Sequence, residues 1–257
     1  MTSQQRVLPF RRCVWGVVLL LLIAARANTY GQRSGRTSDE FPIANPVRRP
    51  VNAAPASLPP LPSEADGVDP LTLDLRVQVN SDGASTVRQQ TFSRTADRIH
   101  LKVKDGAEWL FVQNPVDRRR VHAYLIDHEH KVLVRHDESE LRNGQQIRGW
   151  LDVLTLGFDP EGLAGLKATD QTTAVAGITF TRHVAGPAGA GLPGIHEVWW
   201  NDRQLLPKRI VSSTGRQTRT VSVEQIRPGV DPALLSPPEG RFPSYRSVDL
   251  PDWLEER

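Results

Sequence analysis

The chain has 257 residues, a formal charge of +3 and a single cysteine. That length suits one or two domains, and one cysteine excludes an intramolecular disulfide. Residues 1–27 hold four arginines and no acid, so the rest carries +3 − 4 = −1, which excludes the basic footprint of a nucleic-acid binder.

Arg6, Arg11 and Arg12 form a positive leader, Val14 to Ala25 is an apolar run of twelve residues, and Ala25-Arg26-Ala27 has the small-x-small pattern of a signal-peptidase site. Together they predict a secretory signal peptide over 1–27, cleaved after Ala27. As a helix the run spans about 18 Å, well short of the roughly 30 Å hydrocarbon core; the rival reading is an uncleaved anchor. Cys13 precedes the apolar run, so it is misplaced for lipoprotein acylation, and cleavage leaves no cysteine for thiol chemistry or thiolate metal sites.

Eight of the twenty prolines fall between Gly31 and Pro70, with few large apolar residues; residues 28–70 read as a disordered Pro-rich linker. From Leu71 the pattern changes. Leu71, Leu73, Leu75, Val77 and Val79 alternate with polar residues, the signature of a strand with one buried face. A turn at Asn80–Gly83 leads to strands over 86–93, 99–103, 108–113, 121–127 and 132–136. Short strands joined by tight turns predict an antiparallel meander.

Residues 139–141 and 147–156 carry apolar residues nearer to helical spacing, with Ile147, Trp150, Leu151 and Leu154 in the second. One or two short helices are expected, followed by a loop over 157–165. Strands return at 173–176 and 178–184. A glycine- and proline-rich loop over 186–194 precedes a last meander of 195–201, 206–213 and 217–225. The stretch from Pro228 reads as mostly irregular. About ten strands cannot remain one flat open sheet; the sheet curls or closes, and the helical segment is the natural cover for its concave face.

The seven histidines raise the question of a metal. His128 and His130 are two apart where the helical zinc motif needs four, so a polar hairpin turn is the preferred reading. Arg118-Arg119-Arg120 reads as a solvated turn rather than a head-group contact. No nucleophile elbow or phosphate-binding glycine loop occurs. Trp199 and Trp200 are neighbours on one strand, so they point to opposite faces.

The C-terminal meander carries a resemblance. Val198-Trp199-Trp200-Asn201, then Leu206-Pro207-Lys208-Arg209-Ile210, Thr220-Val221-Ser222-Val223 and the tail Gly229-Val230-Asp231-Pro232-Ala233-Leu234-Leu235 with Pro237 resemble the periplasmic LolA-like group of lipoprotein carriers and sensors. The match is clear over about 195–240 and loose over 71–185. The resemblance implies a curled antiparallel sheet closed by a helical lid, with acyl chains in the cavity.

The expectation is therefore a mostly β (α+β) domain over 71–245, a curled antiparallel half-barrel with a short helical lid, followed by a tail over 246–257. Trp109, Phe111, Ile147, Trp150, Leu151, Leu154, Trp199 and Trp200 are candidates for a ligand cavity or its lid. No catalytic residue, cofactor or metal is assigned. The expected function is non-catalytic binding of an apolar ligand, a lipid or acylated protein, in the cell envelope. The alternative is an assembly or sensor module whose cavity is filled by side chains and whose surface meets an envelope protein. The expected location is periplasmic or secreted, with membrane contact transient, or else anchored to the inner membrane through an uncleaved N-terminal segment.

Overall fold

The computed structural model describes residues 68–104, 106–186 and 194–256. The signal peptide of 1–27, all of the 28–70 linker but its last three residues, and most of the 186–194 loop lie outside the described residues.

The chain begins with six consecutive antiparallel strands: β1 (Leu71–Ser81), β2 (Ala84–Arg94), β3 (Arg98–Val103), β4 (Glu108–Gln113), β5 (Val121–Asp127) and β6 (Val132–His136). A cover of short helices follows: α1 (Glu138–Gln145), α2 (Trp150–Leu154) and a 3-10 turn (Pro160–Gly165). Then come β7 (Leu166–Val175), β8 (Ile178–Ala185), β9 (Ile195–Asn201), β10 (Leu206–Thr214) and β11 (Gln217–Pro228). The chain ends with α3 (Pro232–Leu235), α4 (Pro238–Arg241), β12 (Arg246–Asp249) and α5 (Leu250–Glu255). The strands form one curled, unclosed twelve-stranded sheet in the order β12-β6-β5-β4-β3-β2-β1-β11-β10-β9-β8-β7. The mostly β, curled-sheet expectation holds. Among the described residues no helix is long and apolar enough to cross a membrane.

β1 lies at the centre because its pattern dictates two neighbours. Its inward residues, Leu71, Leu73, Leu75, Val77 and Val79, are all buried. It pairs along its whole length with β2 and with β11. Asp82 and Gly83 both take positive φ, the backbone of a two-residue hairpin turn whose twist matches its strands. The register shifts at Asp74/Leu75 against β11 and twice between β9 and β10. Bulges of this kind add local twist.

The sheet's two faces are covered differently. On the concave face a single apolar cluster runs from Leu71 and Leu73 through Trp109 and Phe111 to Val198 and Ile210, and includes Leu141, Ile147, Trp150 and Leu154 of the cover. An Asp137–Glu140 capping box starts α1. The short α2 is marginal alone, and its burial of Trp150, Val153 and Leu154 holds it. The segment 246–257, set apart by sequence as a tail, supplies β12, which pairs parallel with β6, and α5, whose Trp253 is buried in the same cluster.

On the convex face the polypeptide from Pro232 to Tyr245 crosses β3 to β5. Arg98 Nη1 donates to Leu235 O at 2.8 Å. Buried Glu108 of β4 accepts from Arg241 Nη2 at 2.7 Å and from His100 Nε2 at 2.9 Å on one oxygen, and from His128 Nε2 at 3.0 Å on the other. His128 Nδ1 also meets the Tyr245 hydroxyl at 3.0 Å. Burial alone would raise the Glu108 pKa, but the bonds from His100, His128 and Arg241 outweigh it and hold the carboxyl well below the usual range. Such a carboxylate stabilises the fold above its unfolded pKa of about 4.3 and loses that contribution as pH falls. Glu108→Gln is therefore expected to cost about 3 kcal/mol at pH 7, the scale of breaking a buried pair, and to flatten the loss of stability below about pH 4. Urea unfolding of both proteins at pH 7 and pH 3.5 checks this; an unchanged midpoint at pH 7 would show that the cluster does not hold the C-terminal segment.

Candidate functional site

Alternation along paired strands decides which side chains enter the concave face. Opposite Leu71 of β1 stands Arg94 of β2, which pairs with Ile99 of β3; Ile99 pairs with Phe111, Phe111 with Ala123 and Ala123 with His136. The next inward row holds Leu73, Phe92, Leu101, Trp109, Leu125 and Val134. Both rows are apolar except at Arg94 and His136, and the cover lies on them.

Arg94 is fully buried, with no carboxylate bonded to it. Its Nη1 donates to Leu154 O on α2 at 3.3 Å and to Leu205 O at 3.4 Å, and its Nη2 to Gln204 O at 2.5 Å. Gln204 is in turn locked to Asp69 by two bonds, Asp69 N to Gln204 Oε1 at 3.1 Å and Gln204 Nε2 to Asp69 Oδ2 at 2.6 Å. One guanidinium thus joins the helical cover to the β9–β10 turn across the mouth of the curled sheet. Burial lowers the Arg94 pKa to about 10, with the Asp69 charge opposing; the group remains a cation at neutral pH.

A second attachment comes from the β4–β5 turn. Trp150 N donates to Arg119 O at 2.9 Å, and a Cβ at Gly149 would stand 2.5 Å from that oxygen. The backbone of the Arg118-Arg119-Arg120 run therefore seats α2. Arg120 lies at an open groove of about 700 Å³ lined also by His122 and Glu138, and pairs there with Asp117 at 3.1 Å and Glu138 at 3.3 Å.

The structure brings six of the eight candidate residues, Trp109, Phe111, Ile147, Trp150, Leu154 and Trp200, into the buried cluster. Trp109 and Phe111 stack with centroids 5.8 Å apart, and Trp200 lies 5.2 Å from Phe158. Leu151 is half-buried against the cluster. Trp199 is turned to the opposite face by strand alternation, where its Nε1 donates to Glu197 at 3.0 Å and Lys208 Nζ lies 5.8 Å from its ring. Like Leu151, it is partly buried and packs against the cluster from its margin.

Sequence reasoning passed over the inward polar residues. His136 packs on Trp109 at 5.1 Å, and neither of its ring nitrogens has a partner. Trp109 Nε1, Trp150 Nε1 and both amide atoms of Gln90 are buried without partners too. The signal was present as polar residues standing in phase with inward apolar ones. Three other histidines serve as hydrogen-bonding groups: His130 on Asp127 at 2.9 Å, and His128 and His100 on Glu108. Among the described residues no three His, Cys, Asp or Glu side chains gather as a metal site.

The sequence matches no family model and no curated protein. Among solved structures, the chain is similar to a DUF1329 family protein from Desulfovibrio piger, with 10% identity over 69% of this chain and 93% of that one and a TM-score of 0.37. It is also similar to a LolA superfamily protein from Nitrosomonas europaea, with 9% identity over 70% and 94% and a TM-score of 0.33. A third is the MucA/MucB complex of Pseudomonas aeruginosa, with 15% identity over 68% and 58% and a TM-score of 0.39.

Burial lowers the His136 pKa from 6.5 to about 4, with Asp137 opposing. The unfolded chain therefore takes up this proton first, so stability is full above about pH 6.5 and falls as the pH drops toward 4. Between pH 7 and pH 5 the site is expected to remove about 2 kcal/mol. His136→Leu abolishes that part of the acid sensitivity. Urea titrations of both proteins at the two pH values measure it, and parallel losses would refute a buried neutral imidazole.

Proposed function

We propose that residues 68–256 form a non-catalytic binding domain that accepts an apolar chain, of a lipid or an acylated protein, between the concave face and the helical cover. The observation that carries this is the Arg94 clamp. The cover rests on an apolar face, but what ties α2 across the mouth is one buried cation bonded to main-chain carbonyls. Such bonds can be exchanged for others as the cover lifts, and the apolar surface under it is available to an acyl chain at about 25 cal/mol per Å² buried. The leader of 1–27 supports an exported protein of the cell envelope, periplasmic or secreted, with inner-membrane anchoring as the alternative. The described residues offer no activated nucleophile, and the carboxylate with the most strongly depressed pKa, Glu108, is occupied by three donors.

One observation favours a second reading, an assembly or sensor module that meets an envelope protein. Six candidate cavity residues already fill the concave face as a continuous cluster.

Binding of a fluorescent fatty acid to delipidated protein separates the two. On the first reading the wild type binds, Arg94→Met accelerates uptake severalfold by loosening the cover, and Leu154→Ala changes affinity with a mild loss of stability. On the second, no variant binds, and Leu154→Ala costs the 2–5 kcal/mol typical of a packed core leucine.

A further inference from the structure

The far end of the concave face is built differently from the end that the cover closes. Arg94 stands opposite Leu71 of β1, whereas Arg219 of β11 stands opposite Val79. Eight residues of strand, roughly 26 Å at 3.3 Å each, separate the two levels. Arg219 is in phase with inward Val221 and Val223 and is 7% exposed. Its Nε and Nη2 are buried and meet no hydrogen-bond partner, and no described carboxylate pairs with it. Directly across the β10–β11 pair stands Ser212, also buried. Gln90, two strands away on β2, is buried with its whole amide unpartnered. Between them in register lies Arg88, half-buried and opposite Val77.

The inward positions of β1, β2, β10 and β11 include no aspartate or glutamate. At this end Asp82 sits in the exposed hairpin turn, 3.9 Å from Arg216. A buried guanidinium is costly unless paired. Burial lowers the Arg219 pKa only to about 9, so it stays protonated at neutral pH rather than escaping the cost by neutralising. Native structures leave few such groups unsatisfied, and a guanidinium fork matches the two oxygens of a carboxylate or phosphate.

We propose that this end of the concave face receives the oxyanion head of an amphiphile, a carboxylate or phosphate carried on an apolar chain, with Arg219 as its counterion and Ser212 as a neutral hydrogen-bonding neighbour. The inference rests on the apolar-ligand reading above and names its ligand class. The chain then runs along the apolar rows of β1, β2 and β11 toward the cover.

The test is displacement of the fluorescent fatty acid from delipidated wild type, Arg219→Met and Arg219→Lys by four competitors: dodecyl phosphate, dodecanoate, dodecanol and inorganic phosphate. In wild type the two anionic amphiphiles are expected to compete at least about tenfold better than dodecanol, the scale of one charge-assisted hydrogen bond, and inorganic phosphate far more weakly. Arg219→Met should bring the anionic amphiphiles down to the dodecanol level without changing dodecanol, and Arg219→Lys should keep part of the preference. The melting temperature of Arg219→Met should stay level or rise, since an unpaired buried cation is replaced by an apolar side chain. Dodecanol competing as well as dodecyl phosphate in wild type would overturn the anion site while leaving the apolar-ligand reading intact. Inorganic phosphate competing as well as dodecyl phosphate would make it a free-anion site and overturn the amphiphile. An unchanged preference in Arg219→Met would acquit Arg219 of the role, and a wild type that binds none of the amphiphiles would remove both readings together.

Discussion

A guanidinium buried under a helix governs how this domain closes. Arg94 cannot leave its place, because it is the last inward residue of β2 and the register with β1 puts it against Leu71. Nor can it discharge, because arginine stays protonated in proteins. Its donors must therefore find acceptors, and they find them on main-chain oxygens of Leu154, Gln204 and Leu205. Those oxygens belong to segments far apart in sequence, the cover and the β9–β10 turn. Satisfying one charge thus fixes where the cover rests and ties the two wings of the sheet together. Without that demand, α2 would have its five helical residues, its apolar side chains and the Trp150 N bond to Arg119 O to place it.

The contrast between the two faces follows from where charge is balanced. On the convex side a carboxylate, two histidines and an arginine meet within hydrogen-bonding distance, so the C-terminal segment is bound by a closed polar network. Buried polar networks rigidify and specify to the extent that their members are satisfied. On the concave side polar atoms are isolated: His136, the indole nitrogens of Trp109 and Trp150, Gln90 and Arg219 lack partners. In the convex network His100 Nδ1 alone of the four side chains' polar atoms is buried without a partner, whereas the concave face carries several such atoms in an apolar setting.

Most of the fold was legible because burial on one side writes a period of two into a strand. β1 shows it without a break, and the strands from β2 to β6 and β8 to β11 follow from the same rule and their turns. The elements that escaped carry no such signal. β12 is four residues at an edge with only Val248 apolar, and the first half of β7, Lys167 to Gln171, is exposed and polar. Pairing alone makes these strands, and pairing leaves little trace in sequence. The start of α1 was readable in Asp137 and Glu140, a local cap signal. The inward polar residues were hidden for another reason. Arg94, Gln90 and Arg219 look like ordinary strand polar residues until register shows that they share a side with Phe92, Leu75 and Val221. Candidate-site reasoning that followed aromatic and aliphatic residues found the apolar surface and missed the polar groups that stand in phase with it.

Arg94 and Arg219 make the concave face polar at both ends of an apolar floor, yet the ends are not equivalent. At the first, the fold supplies acceptors to both terminal nitrogens, so the arginine contributes to closure and only its Nε is left without a partner. At the second, the fold supplies none, and an apolar residue of similar length would serve the folded chain at least as well, since a buried charge without a partner opposes folding. Folding therefore accounts for Arg94 and not for Arg219. What distinguishes the two sites is the presence of main-chain oxygens within reach, and the missing oxygens at Arg219 define, by their number and charge, the group that would complete it. On the proposed reading, a bound chain would have a direction: tail under the cover, head toward the β1–β2 and β10–β11 turns.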